Sequence, residues 1–202
     1  MIDQSLIAEN SVSLVAALEN SNKINNRLNL VSSTFNLAML TKLQQYLDDN
    51  YHSDKWIPET NEYGTPMHDV PRYKLTWDAD TVIEELHEVC AAATPVLKKM
   101  YPNSFQTFNG VVVWRDHPGY FIDWHTDNPV IGVSLQIYLN GGDNTPGTEF
   151  VVDSGLLSVP FVKNSGYVVD HSGLDKPSHR VTHPVPGDCL RYSLFALWYN
   201  SH

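Results

Sequence analysis

The spacing of apolar residues predicts two amphipathic helices in the first half of the chain. From Ser33 or Thr34, either of which suits a helix N-cap, apolar positions recur at helical spacing as far as Asp49. A second helical pattern begins after Asp78 or Asp80 and carries its apolar side chains along one side. A helix with one apolar face packs against another layer, so we expect both helices to support a sheet.

The remaining parts of the first half show weaker patterns. Residues 1–30 are rich in Asn and Ser, and their one short apolar segment, residues 12–18, is long enough for a few helical turns. Residues 50–70 are polar and contain proline, which is typical of a surface loop of the kind that covers many active sites. Pro95 is expected to end or kink the second helix.

The pattern changes to strands after Tyr101. Short runs with period-two alternation are separated by turn residues every eight to twelve residues or so, which indicates an antiparallel sandwich or barrel. The clearest strand is 131–139, where one face is entirely aliphatic. Its other face carries small and hydrogen-bonding residues that suit a cavity for a polar ligand: Gly132, Ser134, Gln136 and Tyr138.

Length and composition indicate one domain of mainly β structure. The chain has 202 residues, of which 42% are hydrophobic, and this fits a single domain over residues 1–202. We expect a helical and loop part over residues 1–105 and a β-rich core over residues 106–202. The net charge of −10 disfavours non-specific binding to nucleic acid or to anionic membranes.

The two cysteines and the length of the apolar runs indicate in which cellular compartment the protein works. Cys90 lies in an apolar helical pattern, and we interpret it and Cys189 as free thiols of a reducing environment. The longest apolar run in the N-terminal region is too short for a signal peptide or a membrane span. These features predict a cytoplasmic protein.

The segment Gly119 to Pro129 contains the strongest chemical signal, His125-Thr126-Asp127. Side chains two apart on a strand share a face, so an imidazole and a carboxylate would point to the same side. One further histidine would complete the arrangement of two histidines and one carboxylate that holds a non-haem Fe(II) and leaves other positions open. The candidate is His179, which begins a short β-like segment. Arg191, on the final strand, offers a planar fork for a carboxylate.

The order of these motifs resembles that of the Fe(II)/2-oxoglutarate-dependent oxygenase superfamily, and most of all its prolyl-4-hydroxylase-like branch. The resemblance spans residues 110–199. It rests on the ordered set of His-x-Asp, a strand ending Ile137-Tyr138-Leu139-Asn140, a Gly-rich turn before Thr148-Glu149-Phe150, His179-Arg180-Val181 with Pro184-Val185, and Arg191-Tyr192-Ser193-Leu194.

The resemblance implies a fold, a ligand set and a cosubstrate. The fold would be a double-stranded β-helix, or jelly roll, with the N-terminal helices packed on one sheet. By the same likeness His125, Asp127 and His179 would bind Fe(II). Arg191 would bind the distal carboxylate of 2-oxoglutarate, and Tyr138 would hydrogen-bond that carboxylate. O2 would be the second cosubstrate, and ascorbate is a further small molecule that the family allows.

Two points of the site stay open in the sequence. The gap between His179 and Arg191 is longer than the family usually has, whereas the gap from His183 is shorter, so His183 is an alternative ligand. Gln136 and Ser134 are candidate cosubstrate residues only because they share the polar face of the strand with Tyr138. The remaining histidines singled out, which are predicted to lie in loops or on the surface, are His52, His117 and His171.

The resemblance also limits which reactions and substrates are expected. Relatives that halogenate replace the carboxylate by a small residue, so Asp127 favours hydroxylation. The nucleic-acid demethylase branch has a second arginine where this chain has Leu197, so no nucleic-acid partner is expected. The first choice of substrate is a peptidyl prolyl or other protein side chain. A free amino acid or small metabolite is the alternative, and a non-catalytic jelly-roll binding module is the alternative of another class.

Two loops are expected to set specificity, residues 50–75 and 141–148, because such loops diverge among the relatives. Anaerobic titration with Fe(II) and 2-oxoglutarate would distinguish an oxygenase from a binding module.

Overall fold

A computed structural model describes residues 2–60, 63, 65, 67, 69–76, 78, 80–104, 106–142, 145–173, 176–181, 183–187 and 189–200. Its helices are α1 (Gln4–Glu19), α2 (Leu37–Asp49), α3 (Thr81–Ala91) and α4 (Thr94–Met100). Its strands are β1 (Asn22–Lys23), β2 (Leu28–Ser32), β3 (Ile57–Pro58), β4 (Arg72–Thr76), β5 (Gln106–Asp116), β6 (Ile131–Tyr138), β7 (Thr148–Val152), β8 (Gly155–Val159), β9 (Ser165–Asp170), β10 (His179–Val181) and β11 (Arg191–Asn200).

The strands form two antiparallel sheets. The large sheet has eight strands in the order β1-β2-β9-β6-β11-β5-β4-β3, and the small sheet has three in the order β10-β7-β8. Neighbours in the large sheet are often distant in sequence, because strands that follow each other along the chain switch between the two sheets. This confirms the predicted mainly β fold with a jelly-roll core.

Alternating residues of the central strands divide the interior into two layers. Val113 of β5, Leu135 of β6 and Leu194 of β11 belong to the core that the helices cover. On the opposite face, Tyr138 of β6 and Tyr167 of β9 pack with residues of the small sheet. A strand projects successive side chains to opposite faces, so one sheet serves both layers.

The helices lie on one face of the large sheet, as expected. The carboxylate of Asp3 caps α1 by accepting from the backbone N–H groups of Ser5 and Leu6, and α1 packs against α2, α3 and α4. Helix α3 contacts β5. None of the helices among the described residues is both long enough and apolar enough to cross a membrane.

Helix boundaries differ from the sequence expectation at two N-termini. Helix α1 begins at Gln4, well before residues 12–18, because Asp3 caps its N-terminus. The prediction used only the spacing of apolar residues, which does not reveal a cap. Helix α2 is capped by Asn36, which accepts from the backbone N–H of Met39, rather than by Ser33 or Thr34. Asp80 is the N-cap of α3, so of the two predicted caps it is the one used.

The strand pattern also differs from expectation in the first half of the chain. Strands β3 and β4 occupy part of the segment predicted as loop, and β2 lies in the region predicted to be helical or irregular. Pro95 falls in the first turn of α4, where it starts a new helix instead of ending one. The large sheet therefore contains strands from both sides of residue 105.

Candidate metal centre and the adjoining cavity

His125 and Asp127 lie on the connection between β5 and β6. This connection was expected to be a strand, but among the described residues it forms one isolated β-bridge, between His125 and His179, the first residue of β10. In that bridge each backbone N–H donates to the other residue's carbonyl, at 3.0 and 2.9 Å. The two histidines are thereby fixed opposite each other, although the connection around them is irregular.

Three potential metal ligands converge at this bridge. Nε2 of His125 lies 3.9 Å from Oδ1 of Asp127, and Nε2 of His179 lies 3.6 Å from the same oxygen. One ligand atom from each residue falls within 4.8 Å of the other two, and the imidazole centroids are 4.3 Å apart. Two imidazoles and a carboxylate around one point form the donor set that non-haem Fe(II) takes.

Backbone carbonyls orient both imidazoles. Nδ1 of His125 lies 2.8 Å from the carbonyl oxygen of Asp123, and Nδ1 of His179 lies 3.3 Å from that of Pro177. A carbonyl accepts only, so each Nδ1 carries the proton and each Nε2 presents a lone pair toward Asp127. Burial lowers the pKa of His179, which keeps that lone pair available. These residues fit a divalent cation, because converging lone pairs and a carboxylate oxygen otherwise repel one another.

His183 does not share this arrangement. Its side chain is exposed, and it belongs to no cluster of three potential ligands among the described residues. The structure therefore brings His179, and not His183, to His125 and Asp127. His179 begins β10 and Arg191 begins β11, so the unusually long gap between them falls largely in the connection between these two strands.

A cavity of about 400 Å³ adjoins the three ligands and extends between the two sheets. Its lining includes His125, Asp127 and His179 together with Arg191 of β11. Apolar side chains contribute to the wall as well, among them Trp114, Ile122, Phe161 and Phe195.

Arg191 belongs to a row of three charged residues across adjacent strands. Asp116 of β5 pairs in register with Arg191 of β11 on one side and with Arg72 of β4 on the other. Nη2 of Arg191 donates to Asp116 Oδ2 at 2.9 Å, while Arg72 donates from Nε to Oδ1 at 2.6 Å and from Nη2 to Oδ2 at 3.2 Å. Burial by itself would raise the pKa of Asp116, but the two guanidiniums hold it below its usual value.

This row carries one positive charge in excess. Asp116 balances one guanidinium, and both Arg72 and Arg191 line the cavity. Glu59 also lines the cavity and acts electrostatically on Arg72, whereas Arg191 has Asp116 as its one carboxylate partner among the described residues. The other nitrogens of Arg191 differ in whether they have an acceptor. Nη1 donates to the carbonyl of Pro146 at 2.7 Å, whereas Nε is buried without a hydrogen-bond partner among the described residues. An excess charge beside an unpaired donor is suited to an anionic ligand.

Tyr138 and Gln136 share a hydrogen-bonded wall of the cavity. The hydroxyl of Tyr138 donates to Thr148 at 3.0 Å, and Thr148 lies 3.3 Å from the hydroxyl of Tyr167, which donates to Gln136 at 2.6 Å. Burial raises the pKa of Tyr138 to about 12, so its hydroxyl stays protonated. Neither Thr148 nor Tyr167 was predicted as a cavity residue. Tyr167 is the cross-strand partner of Gln136, so these two side chains lie on the same face of the large sheet.

Ser134 does not line the cavity, in contrast to Gln136 and Tyr138. It is buried, and its Oγ lies 2.8 Å from Nε2 of His171. His171 was predicted to lie in a loop or on the surface, but it is fully buried and Nε2 lies 3.2 Å from Oδ2 of Asp127. His171 does lie in a connection, directly after β9, but a surface position was wrong, because a lone histidine after a strand carries no motif that reveals its burial or its neighbours. Of the other two, His52 is exposed and His117 is half-buried.

The jelly roll places two imidazoles and a carboxylate beside the cavity between its sheets. This is the donor set of a non-haem Fe(II) site. No protein-family model matches the sequence, and neither does any curated protein. The similarity of this chain to known proteins therefore comes from the comparison with solved structures.

Two prolyl hydroxylases are among the similar structures. One is from Trichoplax adhaerens, in complex with a peptide fragment of the hypoxia inducible factor oxygen degradation domain, with a TM-score of 0.68, 13% identity and coverage of 98% of this chain and 93% of that one. The other, a prolyl-4-hydroxylase from Pseudomonas putida, gives a TM-score of 0.65 at 15% identity over 94% of this chain and 99% of that one.

A third similar structure is a member of the 2OG-Fe(II) oxygenase family from Burkholderia pseudomallei. Its TM-score is 0.61 at 15% identity, with 98% of this chain and 93% of that one covered. At such identities the likeness establishes the fold, which is the one the sequence predicted.

Proposed function

We propose that the protein is an Fe(II)- and 2-oxoglutarate-dependent dioxygenase that hydroxylates an unactivated C–H bond. The observation that carries the proposal is the convergence of His125, Asp127 and His179 within 4.8 Å, beside a cavity that Arg191 lines. In this proposal the three converging residues hold the metal. Fe(II), with 2-oxoglutarate and O2, supplies the oxidising chemistry when bound, and the protein supplies position and shelter.

The charged row is assigned to the distal carboxylate of 2-oxoglutarate. With Asp116 balancing one guanidinium, the row offers one net positive charge, and a carboxylate brings the matching negative charge into this buried place. Arg191 would bind the carboxylate directly through its unpaired Nε, as supported by the absence of another acceptor for that donor among the described residues. Arg72 would keep the row cationic although Asp116 is ionised.

The polar wall is assigned a part in orienting the same cosubstrate. The ring of Tyr138 stacks on Phe161 with centroids 4.1 Å apart, and the guanidinium of Arg191 lies 5.0 Å from the centre of that same Phe161 ring. Tyr138 is thus held beside Arg191 by a shared aromatic neighbour. Gln136, bonded to Tyr167, is placed further along that wall. Ser134 is left out of this assignment, because it contacts His171 instead of the cavity.

A peptidyl prolyl side chain, or another protein side chain, is the proposed substrate. Exposed Phe121 and Trp124 lie on the connection that carries the metal ligands, and Arg180, a cavity residue, stacks over Trp124 at 4.6 Å. An aromatic surface beside the open site is suited to an extended peptide. Similar structures include a prolyl hydroxylase bound to a peptide fragment, which supports this choice.

A small molecule is the second candidate substrate. It is favoured by a similar structure of an epimerase from nogalamycin biosynthesis that contains Fe3+, alpha ketoglutarate and nogalamycin RO, with a TM-score of 0.59 at 9% identity. Mass spectrometry of candidate peptides and free amino acids, incubated with protein, Fe(II) and 2-oxoglutarate, distinguishes the two substrates. The product gains one oxygen. Oxidation of free amino acids alone would contradict the peptide proposal.

The metal assignment is tested by two histidine variants. His179→Ala removes a ligand, so we expect loss of the weak visible charge-transfer band that forms when Fe(II) and 2-oxoglutarate are added without oxygen, together with loss of succinate formation. His183→Ala is the matched control and should retain both, because His183 is exposed and lies outside the cluster. The reverse result would reject His179. A wild-type protein that shows neither band nor succinate would favour a non-catalytic binding module.

A further inference from the structure

His171 is a buried histidine that the proposed reaction does not use. It follows β9 directly, and its backbone N–H donates to the carbonyl of Gly132 at 2.8 Å, which extends the pairing of β9 with β6 by one residue. This pairing fixes the backbone from which the imidazole projects. The side chain is completely buried, so its contacts are set by the fold and not by solvent.

The two oxygens of Asp127 have different neighbours. Oδ1 lies near Nε2 of His125 and Nε2 of His179, at 3.9 and 3.6 Å. Oδ2 lies 3.2 Å from Nε2 of His171. One carboxylate oxygen is therefore directed to the metal ligands and the other to a buried imidazole.

The surroundings of the His171 ring determine which nitrogen carries the proton. Nδ1 is buried and has no hydrogen-bond partner in the part of the chain that the structure describes. A proton on Nδ1 would leave a buried donor unpaired, and it would turn the lone pair of Nε2 toward the carboxylate. A proton on Nε2 avoids both penalties, since Ser134 Oγ at 2.8 Å and Asp127 Oδ2 at 3.2 Å are both acceptors within its reach.

We infer that His171 is a positioning residue whose Nε2–H holds Oδ2 of Asp127, so that the carboxylate presents Oδ1 alone to a divalent metal ion. A carboxylate that binds through both oxygens occupies one more coordination position than one that binds through a single oxygen. Holding Oδ2 keeps that position for other ligands. The inference rests on the proposed metal site and adds a residue that the oxygenase resemblance does not supply.

Two variants of His171 with side chains of similar size separate the effect of the N–H donor from that of side-chain shape. His171→Gln keeps an amide N–H at a similar reach, whereas His171→Met has a comparable shape without a donor. We expect His171→Met to weaken Co(II) binding by about tenfold to a hundredfold, the usual effect of losing a partner of a metal ligand. It should also change the visible Co(II) absorption band, because the band reports the coordination number. His171→Gln should stay close to wild type in both respects.

The measurements use the full-length protein, with Co(II) alone as the probe and without oxygen. Thermal unfolding of each metal-free variant is recorded alongside, so that a folding defect is recognised independently of metal binding. If His171→Met does not fold, His171→Asn replaces it, because the shorter amide cannot reach the place of Nε2. The same loss is then expected for His171→Asn.

Three outcomes overturn the inference. The first is a donorless variant that binds Co(II) with wild-type affinity and spectrum. The second is a Gln variant that loses binding as completely as the donorless one. The third is loss of all binding in His171→Met, as in His125→Ala, which would make His171 a ligand. Failure of the proposed function appears differently: the wild-type protein then binds Co(II) but forms no succinate, and the comparison between the His171 variants still stands.

Discussion

Asp116 is the ion-pair partner of two guanidiniums, that of the buried Arg191 and that of the partly buried Arg72. Its side chain is only 3% exposed, and it accepts from Arg72 and from Arg191 across two strand pairs. Arg191 was found in the sequence because its motif is specific. Arg72 and Asp116 were not identified from the sequence. They form an ion pair only when β4 pairs with β5, and no local sequence pattern indicates how β4, β5 and β11 align. The same holds for His171 beside Asp127.

Replacing Asp116 tests how much the row of Arg72, Asp116 and Arg191 contributes to the stability of the fold. Asp116→Asn leaves the buried guanidinium of Arg191 without an ion-pair partner among the described residues, so we expect the free energy of unfolding to fall by about 3 to 5 kcal/mol. The measurement is urea unfolding of the metal-free protein. Asp49→Asn is the control, because Asp49 is exposed and the change should stay within about 0.5 kcal/mol. Equal stability of the two variants would show that the row adds no net stability.

At the scale of elements, the strongest periodic patterns predicted the structure best. Helices α2 and α3 and strand β6 were predicted because each has a long, regular apolar face. Helix α1 was underestimated, since Asn and Ser interrupt its apolar pattern and tertiary packing stabilises it instead. Strand β4 was missed because a short edge-side strand among polar residues resembles a loop.

Gly166 of β9 is a position where two strands depend on the absence of a side chain. A Cβ atom at Gly166 would lie 1.8 Å from the carbonyl oxygen of Gln136 on β6. Gly166→Ala should therefore push β9 from β6 and lower the free energy of unfolding by about 1 to 3 kcal/mol. It should also weaken 2-oxoglutarate binding, because Tyr167 and Gln136 would separate.

The control for this variant is Gly187→Ala, where a Cβ atom would have no neighbour within 4 Å in the part of the chain that the structure describes. We expect wild-type stability and cosubstrate affinity for it in thermal unfolding and in calorimetric titration. A Gly166→Ala protein that matches this control would show that β9 and β6 tolerate a wider separation.

At the scale of the whole molecule, folding makes several groups harder to protonate. Burial lowers the pKa of His171 to about 4 and also lowers that of His179. For Asp116, burial acts in the opposite direction, but Arg72 and then Arg191 bring the net shift downward. The unfolded chain therefore binds more protons in acid than the folded chain does, which is the condition for stability to decrease as pH falls.

We expect the unfolding temperature of the metal-free protein to fall as pH is lowered from about 6.5, the pKa of a free histidine, to about 4. The contribution of His171 is fully present above this window and is lost within it. His171→Gln should show a shallower decline. Comparing the two proteins cancels the common effect of the net charge, which is −10 at neutral pH. Parallel curves for both proteins would contradict the contribution of His171.

The large sheet contains strands from the first half of the chain, and this limits how the protein can be shortened. Strands β2 and β4 pair with β9 and β5, and without them both of these central strands would present free N–H and C=O groups along an open edge. A fragment that starts at residue 106 would therefore recruit copies of itself edge to edge, and should be recovered as insoluble aggregate despite containing His125, Asp127, His179 and Arg191.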